Sequence, residues 1–442
     1  MVFFDPELKK EKAPGTGVYG AQLNADTAIE PRRGYIVMIQ NPGLLMQPNF
    51  MRLLVIGSGL MGGAAAYDMA RNPRVERVTL ADSNEKLAKT EARRLNRLLG
   101  SSKIKPVKLD AANTRAARKL MKGHAACLSA VPYFFNVGLA EAAIDAGCHF
   151  ADLGGNNTVV RKTFALGKKA QKKGVALAPD CGLSPGMASI LAAEALRRLV
   201  GENGKADALK LYVGGLPREP KPPFFYHLVF SVNGLINEFV EPARVLKNGK
   251  ITDIEPLTEP ESFRLAGFDP LVAFHTSGGT STMPETFEGR VGECFEKTLR
   301  YPSHFAFIRG LYDLGMFSSE KRKFGKAELS PREMTSRLML EKWTSDAADV
   351  CIMRIEAHAA GRVSAFTMVD SYDDTTKMTA MMRTTAWPAA VVVQMMAEGT
   401  IAKRGGIYQE RDVPAAIFLG EMAKRGIQID YAEKSGGSAS AS

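Results

Sequence analysis

The sequence is short of cysteine, histidine and one-sided charge, and each shortage removes a class of function. Its five cysteines are Cys127, Cys148, Cys181, Cys294 and Cys351 in 442 residues. Their number is odd and no CxxC pair occurs. A disulfide framework is therefore not indicated, and a reducing, cytoplasmic setting is expected. Six histidines are scattered without HxH or HExxH spacing, so no metal is expected. No apolar run approaches the ~20 residues of a membrane span. The first residues lack a basic segment followed by a long apolar stretch, and no signal peptide is read. Lys and Arg number 58 against 47 Asp and Glu, a net charge of +11 with no long like-charged run. A nucleic-acid face needs clustered basic residues, so no nucleic-acid partner is expected. The mixed basic surface suits small anions such as a dinucleotide or an amino-acid carboxylate.

What is present is ordered by position. Length predicts two or three domains, large enough to need no cross-links. Residues 1–50 carry KKEK, PGTG, IEPRRG and NPG with little apolar content. They are read as an extension outside the native fold, with Met51 as an alternative start. From Met51, strands over 53–56, 78–81, 107–109, 127–131, 149–153 and 175–178 alternate with helices, including 137–146 and 161–173. That rhythm predicts right-handed βαβ crossovers on a doubly wound parallel sheet over 51–185. Residues 186–377 change character: strand-like runs at 209–213, 225–232 and 362–369 lie among Pro/Gly-rich loops, which predicts an inserted α+β domain. Helical stretches follow within 378–432, and the tail 433–442 is low-complexity.

The chemistry begins at Gly57-Ser58-Gly59-Leu60-Met61-Gly62, a GxGxxG string. It follows an apolar strand, opens a helix, and is followed by Asp82 at the end of the next strand. In that context it predicts a Rossmann-type dinucleotide site. Gly57, Gly59, Leu60, Met61 and Gly62 would cradle the pyrophosphate at a helix N-terminus. Asp82, with Ser83 beside it, would bind the adenosine ribose. A carboxylate there repels a 2′-phosphate, so NAD is favoured over NADP, although Lys86 one turn on keeps NADP open. Asp110 and Ala111 end the third strand, where they would flank the adenine. Ser129, Ala130, Pro132 and Tyr133 end the fourth, beside the nicotinamide ribose. Asp152 and Asp180 also follow strands and so fall at the ligand-binding edge. Each reads either as a catalytic or substrate group or as a turn stabiliser. In the inserted domain, the string His275-Thr276-Ser277-Gly278-Gly279-Thr280-Ser281-Thr282 offers hydroxyls and N–H groups that can hold a carboxylate. It can equally be a polar loop. His227, Arg244, Arg300 and Tyr301 are lone candidates there.

From Met51 to about Ile429 the chain resembles the saccharopine dehydrogenase-like family. The strings that carry the resemblance are RLLVIGSGLMG, VTLADSN, ADLGGN, PDCGLSPGM, LYVGGLP, PFFYHLVFSVNGLINEFVEPARVLKNGK, FHTSGGTST and KTLRYPSH. Within the family it is similar to the branch that deaminates lysine. Family members acting on saccharopine typically read LDPG where this chain has Leu183-Ser184-Pro185-Gly186. The resemblance implies a Rossmann domain completed by the C-terminal helices, an α+β substrate and dimerisation domain, and a homo-oligomer. It also implies NAD-dependent oxidative deamination of the ε-amine of L-lysine, with the aldehyde product closing to a piperideine carboxylate. An ε-ammonium titrates near ~10.4, so proton removal needs a base or a desolvated site. Asp152, Asp180, Tyr133 and His227 are the candidates for that role; Arg244, His275, Thr276, Ser277 and Thr280 are those for the substrate carboxylate. Two other readings stand beside this one: an oxidoreductase of saccharopine or polyamine type, and a non-catalytic dinucleotide-binding sensor.

Overall fold

A computed structural model of the chain describes residues 50–435. The extension expected at 1–50 and the tail expected at 433–442 lie mostly outside those residues. The parallel sheet is built from β1 (Met51–Ile56), β2 (Val75–Asp82), β3 (Ile104–Lys108), β4 (Ala126–Ser129), β5 (His149–Asp152) and β6 (Ala176–Ala178). Between them run α1 (Leu60–Arg71), α2 (Glu85–Leu99), α3 (Thr114–Met121), α4 (Asn136–Ala146), α5 (Asn157–Ala165) and α6 (Gly167–Lys172). β1 is covered on both faces, with Leu53, Leu54, Val55 and Ile56 at most 1% exposed. That is why its sequence is continuously apolar rather than alternating. α1 owes its close packing to Gly62, Gly63 and Ala64 to Ala66, all buried, and α2 is capped by Asn84, whose side chain accepts from Leu87 N–H. The single helix expected over 161–173 is two, because the chain turns at Leu166 between α5 and α6.

After α7 (Met187–Val200) the chain builds a second, mixed sheet. Its elements are β7 (Ala206–Pro217), α8 (Val232–Val240), β8 (Ala243–Lys247), β9 (Lys250–Ile254), β10 (Glu261–Phe263), β11 (Leu271–His275), α9 (Met283–Phe287), β12 (Val291–Arg300) and α10 (Pro302–Asp313). There follow the small hairpin β13 (Arg322–Phe324) and β14 (Ala327–Leu329), α11 (Pro331–Trp343), β15 (Asp349–Ala359) and β16 (Arg362–Ser371). The expected strand over 225–232 is absent. Pro222 and Pro223 precede this stretch, and α8 starts at its end. Its apolar residues Tyr226 and Val229 reach the core from irregular backbone.

The last segment touches both sheets. α12 (Ala380–Ala397) packs on α1, β4 and β5. β17 (Gly405–Gly406) then pairs with β6, giving the order β17-β6-β5-β4-β1-β2-β3. α13 (Gln409–Asp412) and α14 (Ala415–Lys424) follow, and β18 (Asp430–Ser435) adds to the mixed sheet as β10-β11-β12-β7-β15-β16-β18. Residues 433–435, expected in the tail, are therefore strand, held against β16 by ladder pairing and by Tyr431 on Phe366. The strand order of the parallel sheet reverses between β1 and β4, which opens a crevice at the carboxyl ends of its strands.

Candidate active site

The glycine turn lies at that reversal. Gly57 has φ +103°, and a Cβ there would stand 2.6 Å from Ala130 O. The turn therefore both requires a left-handed residue and passes against the end of β4. Gly59 caps α1 with no side-chain bond, which leaves the first N–H groups of the helix for an anion. Gly59 and Leu60 are exposed and Met61 half-buried. Asp82 Oδ2 accepts from Ser58 N–H (2.7 Å) and hydroxyl (2.9 Å), and its Oδ1 accepts from Asn84 N–H (2.8 Å). Ser83, Asp110 and Pro132 are exposed and Ala130 is half-buried. Two side chains expected to line the cofactor do not. Ala111 is packed in the core, and the buried Ser129 hydroxyl donates inward to Asn136 Oδ1 at 2.7 Å. The remaining set, a bare helix N-terminus beside a carboxylate ending β2, fits a dinucleotide.

Asp152 and Asp180 meet at the ends of β5 and β6, 1% and 3% exposed. Asp152 Oδ1 accepts from the N–H groups of Gly154 (2.8 Å) and Asp180 (3.2 Å). Asp180 has φ +60°, uncommon for a residue with a side chain. Gly154 has φ +77° and runs so close that a methyl group there would overlap Asp180 Oδ1. Across the crevice, the Ser281 hydroxyl donates to Asp180 Oδ2. Burial pushes the Asp152 carboxyl up to about 6, and burial, then the Asp152 charge, pushes Asp180 up to about 7. A buried group that titrates near neutrality can both take and return a proton.

The Thr/Ser/Gly loop divides its side chains as strand alternation requires. His275 faces away from the crevice, 3.2 Å from Glu259 Oε2 and edge-on to Phe295. Thr276 faces the other way, with its hydroxyl 3.2 Å from Glu296 Oε2 and 2.7 Å from the Thr298 hydroxyl. Ser277 N–H donates to Glu238 O at 3.0 Å. The Thr280 hydroxyl donates to Arg244 O at 2.6 Å, so it fastens β8. The Arg244 guanidinium is held by Glu285 (2.8 Å) and Asp253 (3.4 Å), which corrects its expected role as carboxylate anchor. His227 is also displaced from the expected role. It is 8% exposed, burial lowers its imidazole, and the opposing charge it feels is Asp349. Asp349 in turn accepts two N–H groups at the start of α12, so this histidine belongs to a helix end. Tyr133 opens a short 3₁₀ turn, and its hydroxyl accepts from Asn237 Nδ2 at 3.4 Å. Asn156 Nδ2 donates to Glu241 Oε1 at 3.0 Å. α8 thus lies across the ends of β4 and β5.

Several residues of this crevice are not candidates in the sequence. Glu296 and Thr298 share one face of β12 with the lone candidate Arg300, a period-two signal that was present but unread. Glu238 sits on α8 with nothing in its spacing to mark it. Gln409 and Glu410 come from the C-terminal segment. Gln409 Nε2 donates to Pro179 O (3.1 Å), and Glu410 Oε1 accepts from the Thr282 (2.9 Å) and Thr286 (2.6 Å) hydroxyls. They brace the Asp180 loop and the Thr/Ser/Gly loop from behind. Among the described residues no group of three or more His, Cys, Asp or Glu is placed to hold a metal, and no helix is long and apolar enough to cross a membrane. All five cysteines are buried and unpaired.

Residues 53–177 match the saccharopine dehydrogenase NADP binding domain, and residues 182–427 match the saccharopine dehydrogenase C-terminal domain. The chain is 24% identical over 303 residues to saccharopine dehydrogenase [NADP(+), L-glutamate-forming] of Schizosaccharomyces pombe, a match covering 67% of this chain and 65% of that enzyme. It is 22% identical over 295 residues to mouse mitochondrial alpha-aminoadipic semialdehyde synthase, covering 63% of this chain and 30% of the other. The chain thus spans less than two thirds of the length of these relatives. The structure of apo saccharopine dehydrogenase (L-Glu forming) from Saccharomyces cerevisiae superposes with a TM-score of 0.71 at 18% identity, covering 87% of this chain and all of that one.

Proposed function

The chain belongs to the saccharopine dehydrogenase family, and from that premise we propose that it oxidises the ε-carbon of L-lysine and releases ammonia, the activity of a lysine 6-dehydrogenase. One observation carries the choice of substrate. The crevice brings together the buried carboxyls of Asp152, Asp180 and Glu296 and the part-exposed carboxyl of Glu238, with Arg300 as the one buried guanidinium among the described residues. A molecule with two amines and one carboxylate suits that charge; saccharopine, with three carboxylates, suits it poorly. A nicotinamide dinucleotide bound on Gly57 to Gly62 and Asp82 supplies the electron acceptor.

The chain's own residues handle protons and orientation. Asp180 accepts the proton that the ε-ammonium must lose, and its rise to about 7 keeps it a usable base at neutral pH. Asp152 fixes the Asp180 backbone through the bond to its N–H, and Ser281 fixes the carboxyl through Oδ2. Water then adds to the substrate imine, with Asp180 returning a proton to the departing ammonia. Tyr133 lies within the same edge and keeps its hydroxyl proton free, because the oxygen accepts from Asn237.

NAD is the proposed partner, on the ground that Asp82 opposes a 2′-phosphate. The relatives' names specify NADP(+) and the matching domain is described as NADP binding, so the cofactor preference needs its own arm in the assay. The test is reduced-dinucleotide and ammonia formation with lysine, ornithine, saccharopine and 1,5-diaminopentane, each with NAD and NADP. Turnover of saccharopine without lysine would replace the substrate proposed here. No signal with any amine would sink the enzymatic reading. The homo-oligomer remains part of the proposal, and light scattering of the purified chain checks it.

A further inference from the structure

Arg300 ends β12 with its side chain 3% exposed, yet its donors are poorly met. One terminal nitrogen donates to Leu299 O at 2.9 Å, another stands 3.9 Å from Glu238 Oε2, and Nε has no partner. A guanidinium carries five donors, and leaving them unpaired in a buried place is costly. Three other buried polar groups beside it are equally unmet, one of them Nε2 of His304, whose ring stacks on Tyr226 at 4.4 Å. The Tyr226 hydroxyl has no partner, and the Tyr226 ring lies 5.1 Å from the guanidinium. The Ser277 hydroxyl has none either, on the residue whose N–H donates to Glu238 O. Glu296 completes the group from the same face of β12, held by Thr276 and Thr298.

We propose that this cluster is a head-group site for an α-amino acid, with Arg300 taking the carboxylate and Glu238 and Glu296 taking the α-ammonium. The inference rests on the reaction proposed above for the direction in which the substrate lies, and it names the residues that read the non-reacting end. A guanidinium matches a carboxylate through paired, parallel hydrogen bonds. The two glutamates supply acceptors for an ammonium, whose three donors need them. The loop that begins at Thr276 against Glu296 ends at Ser281 on Asp180. Gly279, between them, lies against the Glu296 carboxyl and accepts from the Ser184 hydroxyl at 3.2 Å. One loop therefore borders both the proton-transfer group and the head-group cluster, as an elongated substrate with polar groups at each end requires. Burial, and for Glu296 also the Glu238 charge, pushes Glu238 up to about 7 and Glu296 to about 8. An arriving ammonium would offset that repulsion.

Direct binding to the dinucleotide-loaded full chain tests this by calorimetry with three ligands. L-lysine has both head-group charges, 6-aminohexanoate lacks the α-ammonium, and 1,5-diaminopentane lacks the carboxylate. The wild-type chain is expected to prefer lysine by about tenfold or more over each analogue. Arg300→Lys should weaken lysine and 6-aminohexanoate but leave 1,5-diaminopentane unchanged. Glu238→Gln should weaken lysine and 1,5-diaminopentane but leave 6-aminohexanoate unchanged. Unaltered dinucleotide affinity and a retained cooperative melting transition show that both variants fold. Equal losses on all three ligands, or a wild-type chain that does not discriminate among them, overturn the assignment. A chain that discriminates in this way yet forms no reduced dinucleotide supports the head-group site and removes the proposed reaction.

Discussion

Asp180 unites a buried carboxyl, a left-handed backbone and a neighbour of like charge, each of which costs stability by itself. Their concentration on one residue at the edge of a Rossmann sheet is what the proposed role of Asp180 as the base rests on. Asp180→Asn keeps the shape and the Ser281 contact but removes the base. It should lower kcat/KM for lysine by about 10²- to 10⁴-fold while leaving dinucleotide affinity intact. In the wild-type chain kcat/KM should rise with pH through about 7 as Asp180 deprotonates, and this limb should vanish in the variant. Steady-state rates across pH 5.5 to 9 check both, and a retained limb would assign it to another group. The placement of Asp152 and Asp180 at the carboxyl edge of the parallel sheet was legible in the sequence because each directly follows an apolar strand run. His275 was misread because a string of polar residues hides the alternation that sends it and Thr276 to opposite faces. Glu296 carried only the period-two signal of β12, and Glu238 was not legible at all. A glutamate in a sequence reads as a solvated surface, and only tertiary packing turns it inward.

Among the elements, the contact of α14 with α1 turns on one buried ion pair. Arg425 pairs with Asp68 through two bonds, Nε to Oδ1 at 2.7 Å and Nη2 to Oδ2 at 2.9 Å, and Gln394 donates to the same carboxylate at 3.0 Å. The Asp68 side chain is 1% exposed. Arg425→Met leaves that charge buried with one amide for company, and should lower the unfolding free energy by about 3–5 kcal/mol. Adding Asp68→Asn to the same chain should recover much of the loss. Denaturant titration of the single and double variants measures it, and an undiminished double-variant deficit would show that packing, not charge, was lost. The glycine turn, β1 and β2 were readable because local pattern and chain geometry agree there. The stretch 225–232 was not, because apolar alternation also arises where an irregular loop buries every second side chain. β17 was invisible for a plainer reason: two glycines carry no pattern.

On the scale of the whole molecule, the crevice carboxyls set an unusual dependence of stability on pH. Burial pushes the Asp152, Asp180 and Glu296 carboxyls up to about 6, 7 and 8 in the folded chain, against about 4 when unfolded. The fold binds their protons more tightly than the unfolded chain does. Their contribution is therefore complete below about pH 4 and is lost as pH rises through the folded values. Glu356 acts in the opposite sense. His358 and then Arg354 hold it down to about 2, so its contribution is lost as acid is added. The melting temperature should peak near about pH 5 and fall toward pH 8, and a flat calorimetric profile over that range would contradict the raised values. Gln409 and Glu410 stand behind both halves of the crevice, and β17 and β18 close an edge of each sheet. Vectorial synthesis gives that arrangement a temporal meaning. A nascent chain can finish its glycine turn while still attached to the ribosome, but Gln409 and Glu410, which stand behind Asp180, are translated more than two hundred residues after Asp180. The glycine turn thus exists before the segment that closes the crevice behind Asp180, and the interval is set by the order in which the segments leave the exit tunnel.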